Sequence, residues 1–210
     1  MPRGSRPLTG AGVLGMVRSR MEKQLVLGSG SPRRRELLAE AGYSFEVREP
    51  EVEEIPPGSH SIRELAVMNA VLKARSLVKE GENAVVLAAD TLVGVGGEVL
   101  GKPENLEEGT QMLERLAGRV HEVCTGVCLS SGERESAFFE VTWVKFRKFG
   151  ESVIAEYHDK VEVLDKAGGY AIQEHGDMLV EDVEGEYENV IGLPVIRVKV
   201  ELERFGLRPA

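Results

Sequence analysis

The run from Ala84 to Val95 is apolar except for Asp90-Thr91. It reads as a strand, and Gly96-Gly97 marks a hairpin into Glu98–Leu100. An ionised carboxylate in such company is costly unless it is solvated, paired or bound to a metal. The expected place for Asp90-Thr91 is therefore the end of the strand, where ligands gather in open α/β sheets; the plainer alternative is a strand-to-loop boundary without a ligand. The run is also far below the roughly 20 apolar residues of a membrane span, and no other segment approaches that length.

Gln24–Gly28 is a short apolar run that ends in Gly-Ser-Gly-Ser, a buried strand entering a tight turn. A helix is expected next, capped by Ser31, started by Pro32, buried through Leu37, Leu38 and Ala41, and closed by Gly42 in the left-handed conformation. Residues 45–52 read as a second strand. Ser61-Ile62-Arg63-Glu64 has the form of a capping box, and Leu65, Met68, Leu72, Arg75 and Val78 recur at helical spacing up to Gly81. Asn105 and Glu108 cap a further helix that carries Met112, Leu113 and Leu116 and stops at Gly118. Strands are expected at 122–129 and 136–146, a short helix at 153–158, and a strand pair at 170–173 and 178–183. Pro194 and Gly206 tip the ambiguous last segment towards helix. Strands and helices interleave throughout, so the fold class is α/β.

With 210 residues, 42% hydrophobic and 29% charged, the chain can bury the core of one globular domain, expected over residues 24–207. Residues 1–23 are basic and glycine-rich around a weakly apolar stretch that lacks an Ala-x-Ala cleavage site, which argues against a signal peptide. The expectation there is a disordered extension, or a start placed too early with Met21 as the native one. The 35 acidic against 26 basic residues give a formal net charge of -9, which disfavours nucleic acid and anionic membranes as partners. A polyanionic substrate then requires a local basic pocket or a metal. Cys124 and Cys128 share one face of a strand, too far apart to bridge easily, and are expected as reduced thiols.

Gly28-Ser29-Gly30-Ser31-Pro32-Arg33-Arg34-Arg35 places a small-residue turn at a helix N-terminus, where free backbone N–H groups and partial positive charge suit phosphate. It fits neither the Walker spacing nor the dinucleotide fingerprint, whose third glycine is replaced by Arg33. Successive helical side chains project about 100° apart, so the three arginines cannot all serve one ligand, and Arg33 and Arg34 lie nearest the turn. Lys102 sits in the rigid turn Gly101-Lys102-Pro103. Glu53 and Glu54 point to opposite faces of an extended chain, so at most one of them reaches a given site. Hard oxygen ligands of this kind suit magnesium or manganese, whereas His121, Cys124 and Cys128 have no familiar zinc spacing.

Taken in order, these segments resemble the Maf family of nucleotide pyrophosphatases, and the resemblance covers residues 24 to 206 almost completely. It rests on Leu27-Gly28-Ser29-Gly30-Ser31-Pro32-Arg33-Arg34 with Glu36-Leu37-Leu38, on Ala89-Asp90-Thr91, and on Gly97-Glu98-Val99-Leu100-Gly101-Lys102-Pro103. It continues through Leu116-Ala117-Gly118-Arg119-Val120-His121 with Thr125-Gly126, then Asp165-Lys166-Ala167-Gly168-Gly169-Tyr170-Ala171-Ile172-Gln173, and closes with Asn189-Val190-Ile191-Gly192-Leu193-Pro194.

The resemblance implies an elongated mixed central sheet with flanking helices and two lobes around a cleft, as in inosine triphosphate pyrophosphatases. It further implies a cytoplasmic enzyme, a divalent cation and a homodimer. By the same resemblance Asp90 corresponds to the proton acceptor or, with Glu54, to a ligand of the metal, and Glu54 to a metal or catalytic carboxylate. Lys102 joins these two as a catalytic candidate and, with Ser29, Ser31, Arg34, Lys73 and Lys166, contacts the triphosphate. Arg33, Thr91 and Gln173 match the positions associated with the base, in the pattern of the branch acting on dTTP and UTP rather than on 7-methyl-GTP. The chain departs from the family pattern at Gly28, Ala117, Glu188 and Glu174-His175, the last beside Gln173 and so bearing on base preference. The rival expectation is a nucleotide-binding regulator of cell division without turnover.

Overall fold

The computed structural model describes residues 23–210. The expectation for the N-terminal extension lies outside the described residues, apart from Lys23, whose ammonium donates to the Phe205 carbonyl at 3.2 Å. Strand β1 (Gln24–Gly28) runs parallel to both β2 (Glu46–Val47) and β3 (Ala84–Val95). From β3 the sheet continues antiparallel through β5 (Val120–Ser130), β6 (Glu135–Phe146) and β7 (Val180–Glu184), and β4 (Glu98–Leu100) folds back on β3 as the Gly96-Gly97 hairpin requires. The resulting order is β2-β1-β3-β5-β6-β7, a mixed sheet with β3 inside it.

Helix α2 (Ile62–Leu77) covers one face of the sheet, and the Ser61–Glu64 capping box that starts it forms as expected. Its buried stripe is not the expected one. Leu72 is exposed and Met68 only half buried, whereas Ile62, Leu65, Ala66, Asn69, Ala70, Lys73 and Ala74 face the sheet. The cause lies on β5: a Cβ on Gly126 would stand 2.2 Å from the carbonyl carbon of Ala66, so this helix packs backbone against sheet and turns its small side chains inward. The periodicity of large apolar residues therefore marks a different face from the one the close approach selects.

The opposite face carries the larger core, in which Leu27, Leu87, Leu129, Phe146, Tyr157 and Leu193 are fully or almost fully buried. Helices α1 (Pro32–Glu40), α3 (Leu106–Leu116), α4 (Glu151–His158) and α6 (Val195–Arg204) contribute to it. The ambiguous last segment is thus a helix, as Pro194 and Gly206 indicate. Asn105 caps α3 by accepting from the Glu108 N–H at 3.0 Å. Ser31 occupies the cap position of α1 without a side-chain cap; instead its own N–H donates to the Ser29 hydroxyl at 3.2 Å.

Three further expectations are corrected. The strand at 45–52 shrinks to Glu46–Val47, because Pro50 has no N–H to donate and the chain beyond Arg48 turns along a cavity wall. Residues 170–173 are not a strand, since Gly168, Gly169 and His175 adopt φ of 71°, 73° and 54° and wind this stretch into turns and short 3-10 segments. Asp90 lies within β3, opposite Gly126, rather than at a strand end. A short helix without a sequence expectation, α5 (Tyr187–Ile191), follows β7. Cys124 and Cys128 are free and buried on the α2 face, and burial pushes both thiols up to about 12. Among the described residues no helix is long and apolar enough to cross a membrane.

The contact at Gly126 yields a direct test. Because the obstructing atoms are helix backbone, Gly126→Ala should cost about 3 kcal/mol, the upper end of ordinary overpacking penalties, in a denaturant unfolding experiment.

Candidate active site

A cavity of about 340 Å³ opens where β1 runs into α1, bounded by the coil after β2, the middle of β3, the turn at Lys102, residues 165–173 and the end of α5. Ser29, Ser31, Arg33, Arg34, Glu54, Lys73, Thr91, Lys102, Lys166 and Gln173 all line it. The sequence candidates thus converge with one exception. Asp90 is 5% exposed and sits behind Lys73 instead of in the wall, because it projects from β3 towards α2. Arg35 stays out of the lining, as helix geometry requires, and Glu53, in the coil after β2, stays out as well.

Lys73 is the junction of the site. Its ammonium lies 2.7 Å from Asp90 Oδ1 and 2.6 Å from Glu54 Oε1, so carboxylates from β3 and from the coil after β2 meet on one cation. Asp90 Oδ2 accepts from Asn69 Nδ2 at 3.2 Å, one helical turn before Lys73. The resemblance gave Asn69 no role, although its place four residues before Lys73 puts both on one helix face.

Arg34 is held by neutral oxygens. Its Nε donates to the Gly192 carbonyl at 2.8 Å, and its Nη atoms donate to Ser29 Oγ at 3.2 Å and Thr91 Oγ1 at 2.9 Å. Burial pulls this guanidinium below its usual pKa, and the charge of Asp90 opposes the shift. Thr91 in turn meets Thr125 at 2.9 Å, whose hydroxyl donates to the Asn189 carbonyl at 3.1 Å. The unexpected α5 therefore supplies the frame for Arg34 through Asn189 and Gly192. The sequence signal for it was the Asn189-Val190-Ile191-Gly192 stretch, too short to show helical periodicity.

Arg33 and Lys166 share a different carboxylate. Asp165 Oδ2 accepts from Arg33 Nη1 at 2.9 Å, and its Oδ1 accepts from Lys166 at 2.8 Å. Lys166, 5% exposed, also donates to the Glu162 carbonyl and stands 3.4 Å from Glu174 Oε1. Partial burial raises the Asp165 carboxyl, but the hydrogen bonds from Lys166 and Arg33 outweigh it and leave the group below the usual carboxylate range. Glu174, next to Gln173 in the chain, therefore reaches Lys166 and is not among the cavity-lining residues.

Tyr170 forms part of the wall, and its hydroxyl meets His121 Nε2 at 2.8 Å, which places His121 in an aromatic cluster with Phe146 and away from any thiol. The second tyrosine, Tyr157, accepts from the Ala171 N–H at 3.0 Å and so pins the same segment. Among the described residues no group of three or more His, Cys, Asp or Glu side chains forms a cage for a metal ion. A cation held by Glu54 and Asp90 would therefore complete its shell with substrate oxygens and water, the habit of magnesium.

Burial of His121 lowers its pKa to about 4 from 6.5. A histidine kept neutral in the fold but free to charge when unfolded costs stability as pH falls from the unfolded value through the folded one. Stability should thus drop by about 3 kcal/mol between pH 6.5 and 4 through this group alone. In His121→Phe the slope of unfolding free energy over that window should flatten accordingly.

The Maf-like protein family model matches residues 24–205. A dTTP/UTP pyrophosphatase of Akkermansia muciniphila is 44% identical over 88% of this chain and 97% of its own length. Proteins of the same description from Symbiobacterium thermophilum and Bacillus cereus are 44% and 40% identical, each over 88% of this chain and over 95% and 97% of theirs. Among solved structures, a HAM1 protein from Coxiella burnetii aligns with a TM-score of 0.53 at 18% identity, over 87% of this chain and all of that one, a likeness of fold alone.

Proposed function

The chain belongs to the Maf family, and from that premise we propose that it hydrolyses dTTP and UTP to the nucleoside monophosphate and pyrophosphate. The observation that carries this reading is the convergence of Arg33, Arg34, Lys73, Lys102 and Lys166 on one cavity in a protein whose net charge is -9. The relatives described as dTTP/UTP pyrophosphatases support the choice of substrate.

In the proposed reaction a water oxygen bonds to the α-phosphorus as the bond from phosphorus to the α–β bridging oxygen breaks. Pyrophosphate leaves with that oxygen, and the proton of the water passes to a carboxylate. Arg34, Lys73, Lys102 and Lys166 hold the phosphates, while Arg33, Thr91 and Gln173 face the nucleoside end.

A phosphate that draws Lys73 away uncovers Asp90 and Glu54 together, and two bare carboxylates side by side need a new counter-charge. Glu54 and Asp90 would hold magnesium or manganese there, since their oxygens already converge on one cation, the Lys73 ammonium. When bound, the ion would screen charge building on the phosphates. In the alternative arrangement the ion rests on Glu54 and substrate oxygens, and Asp90 accepts the proton directly.

Incubation with dTTP, UTP or 7-methyl-GTP and magnesium, with pyrophosphate and orthophosphate assayed separately, tests the reading. It requires pyrophosphate from dTTP and UTP in preference to 7-methyl-GTP. Orthophosphate would indicate a phosphatase, and no product a nucleotide-binding regulator. Asp90→Asn should lower kcat by about 100-fold or more with little change in KM, because the lost interaction acts in the transition state. Near-normal turnover of that variant would remove Asp90 from the mechanism.

A further inference from the structure

We propose that Asn69 is a positioning residue that sets the two carboxylates of the site relative to each other, a role resting on the proposed function above. Its amide is 2% exposed and every polar atom is engaged. Oδ1 accepts from the Ile55 N–H at 2.8 Å, while Nδ2 donates to the Ile55 carbonyl at 3.3 Å and to Asp90 Oδ2 at 3.2 Å. The amide orientation follows from its partners, since the Ile55 N–H needs an acceptor and the two oxygens need donors.

The segment it grips is the coil between β2 and α2, which brings Glu49, Pro50, Val52 and Glu54 to the cavity without the ladder bonds of a strand. Ile55 follows Glu54 directly, so clamping both backbone groups of Ile55 fixes where the Glu54 side chain starts. The same amide fixes Asp90 from the other side. Asn69 and Lys73 lie four residues apart on one face of α2, so a single rigid helix carries both the clamp and the cation on which the carboxylates meet. An apolar residue of similar size would fill the space and release both.

The test combines hydrogen exchange with kinetics on the full chain. In the unmutated protein the Ile55 amide should exchange as slowly as the core amides of α2, whereas the neighbouring coil amides exchange freely. An unprotected Ile55 amide overturns the proposal before any variant is made. In Asn69→Leu and Asn69→Ser, Ile55 exchange should accelerate by about tenfold or more, and kcat for dTTP should fall by about tenfold with KM held within about threefold. Asn69→Ser leaves room for water should the leucine variant fold poorly. Faster exchange with unchanged kcat, or a rise in KM alone, overturns the positioning role. The exchange arm needs no turnover, so a parent protein that releases no pyrophosphate would sink the proposed function while the clamp is still judged on Ile55.

Discussion

Asp90 is a carboxylate inside a strand that is otherwise apolar but for Thr91, and Lys73 is what makes that tolerable. The two ions approach to 2.7 Å with each residue less than a tenth exposed, so removal of Lys73 leaves the Asp90 carboxylate without a counter-charge between helix and sheet. This pair ties α2 to β3 at one point of the face that the close approach at Gly126 selects. Gly126 on the neighbouring strand permits the approach, Asn69 completes the coordination of Asp90, and Glu54 joins from the coil. One cation thus links a helix, a strand and a cavity wall.

The same principle recurs around the cavity. Arg33 and Lys166 are tied to Asp165, Lys73 to Asp90 and Glu54, and only Arg34 is satisfied wholly by neutral oxygens among the partners described. The site is therefore not a bare positive trap. A polyanion entering it has to exchange partners with carboxylates already present, which is how an acidic protein can offer a polyanion several cations at one cavity.

Much of this was legible from residue patterns. The Ser61–Glu64 capping box, the apolar run of β3, the glycine hairpin and Asn105 as a cap are local signals whose physics is complete within a few residues. The residues that line the cavity were legible as a set because the ordered resemblance tied together positions that no single spacing connects. What escaped was decided by contacts distant in sequence. The face of α2 follows from Gly126, about sixty residues downstream. The turns at 168–178 follow from left-handed residues that leave no alternating pattern. Asn69 looked like an ordinary helical polar residue until Ile55 and Asp90 came to it from two other segments. Asp90 was misplaced at a strand end because its counter-charge, Lys73, could not be assigned by pairing rules alone.

The most direct measurement is a double-mutant cycle on the buried pair, with unfolding free energies for the parent, Lys73→Met, Asp90→Asn and the combined variant. If the ammonium and the carboxylate compensate each other between α2 and β3, losing Lys73 alone should cost about 3–5 kcal/mol, and adding Asp90→Asn should recover about 2 kcal/mol or more of that. Costs that simply add, to within about 0.5 kcal/mol, would mean that the two charges do not depend on each other and that α2 is held in place by something else.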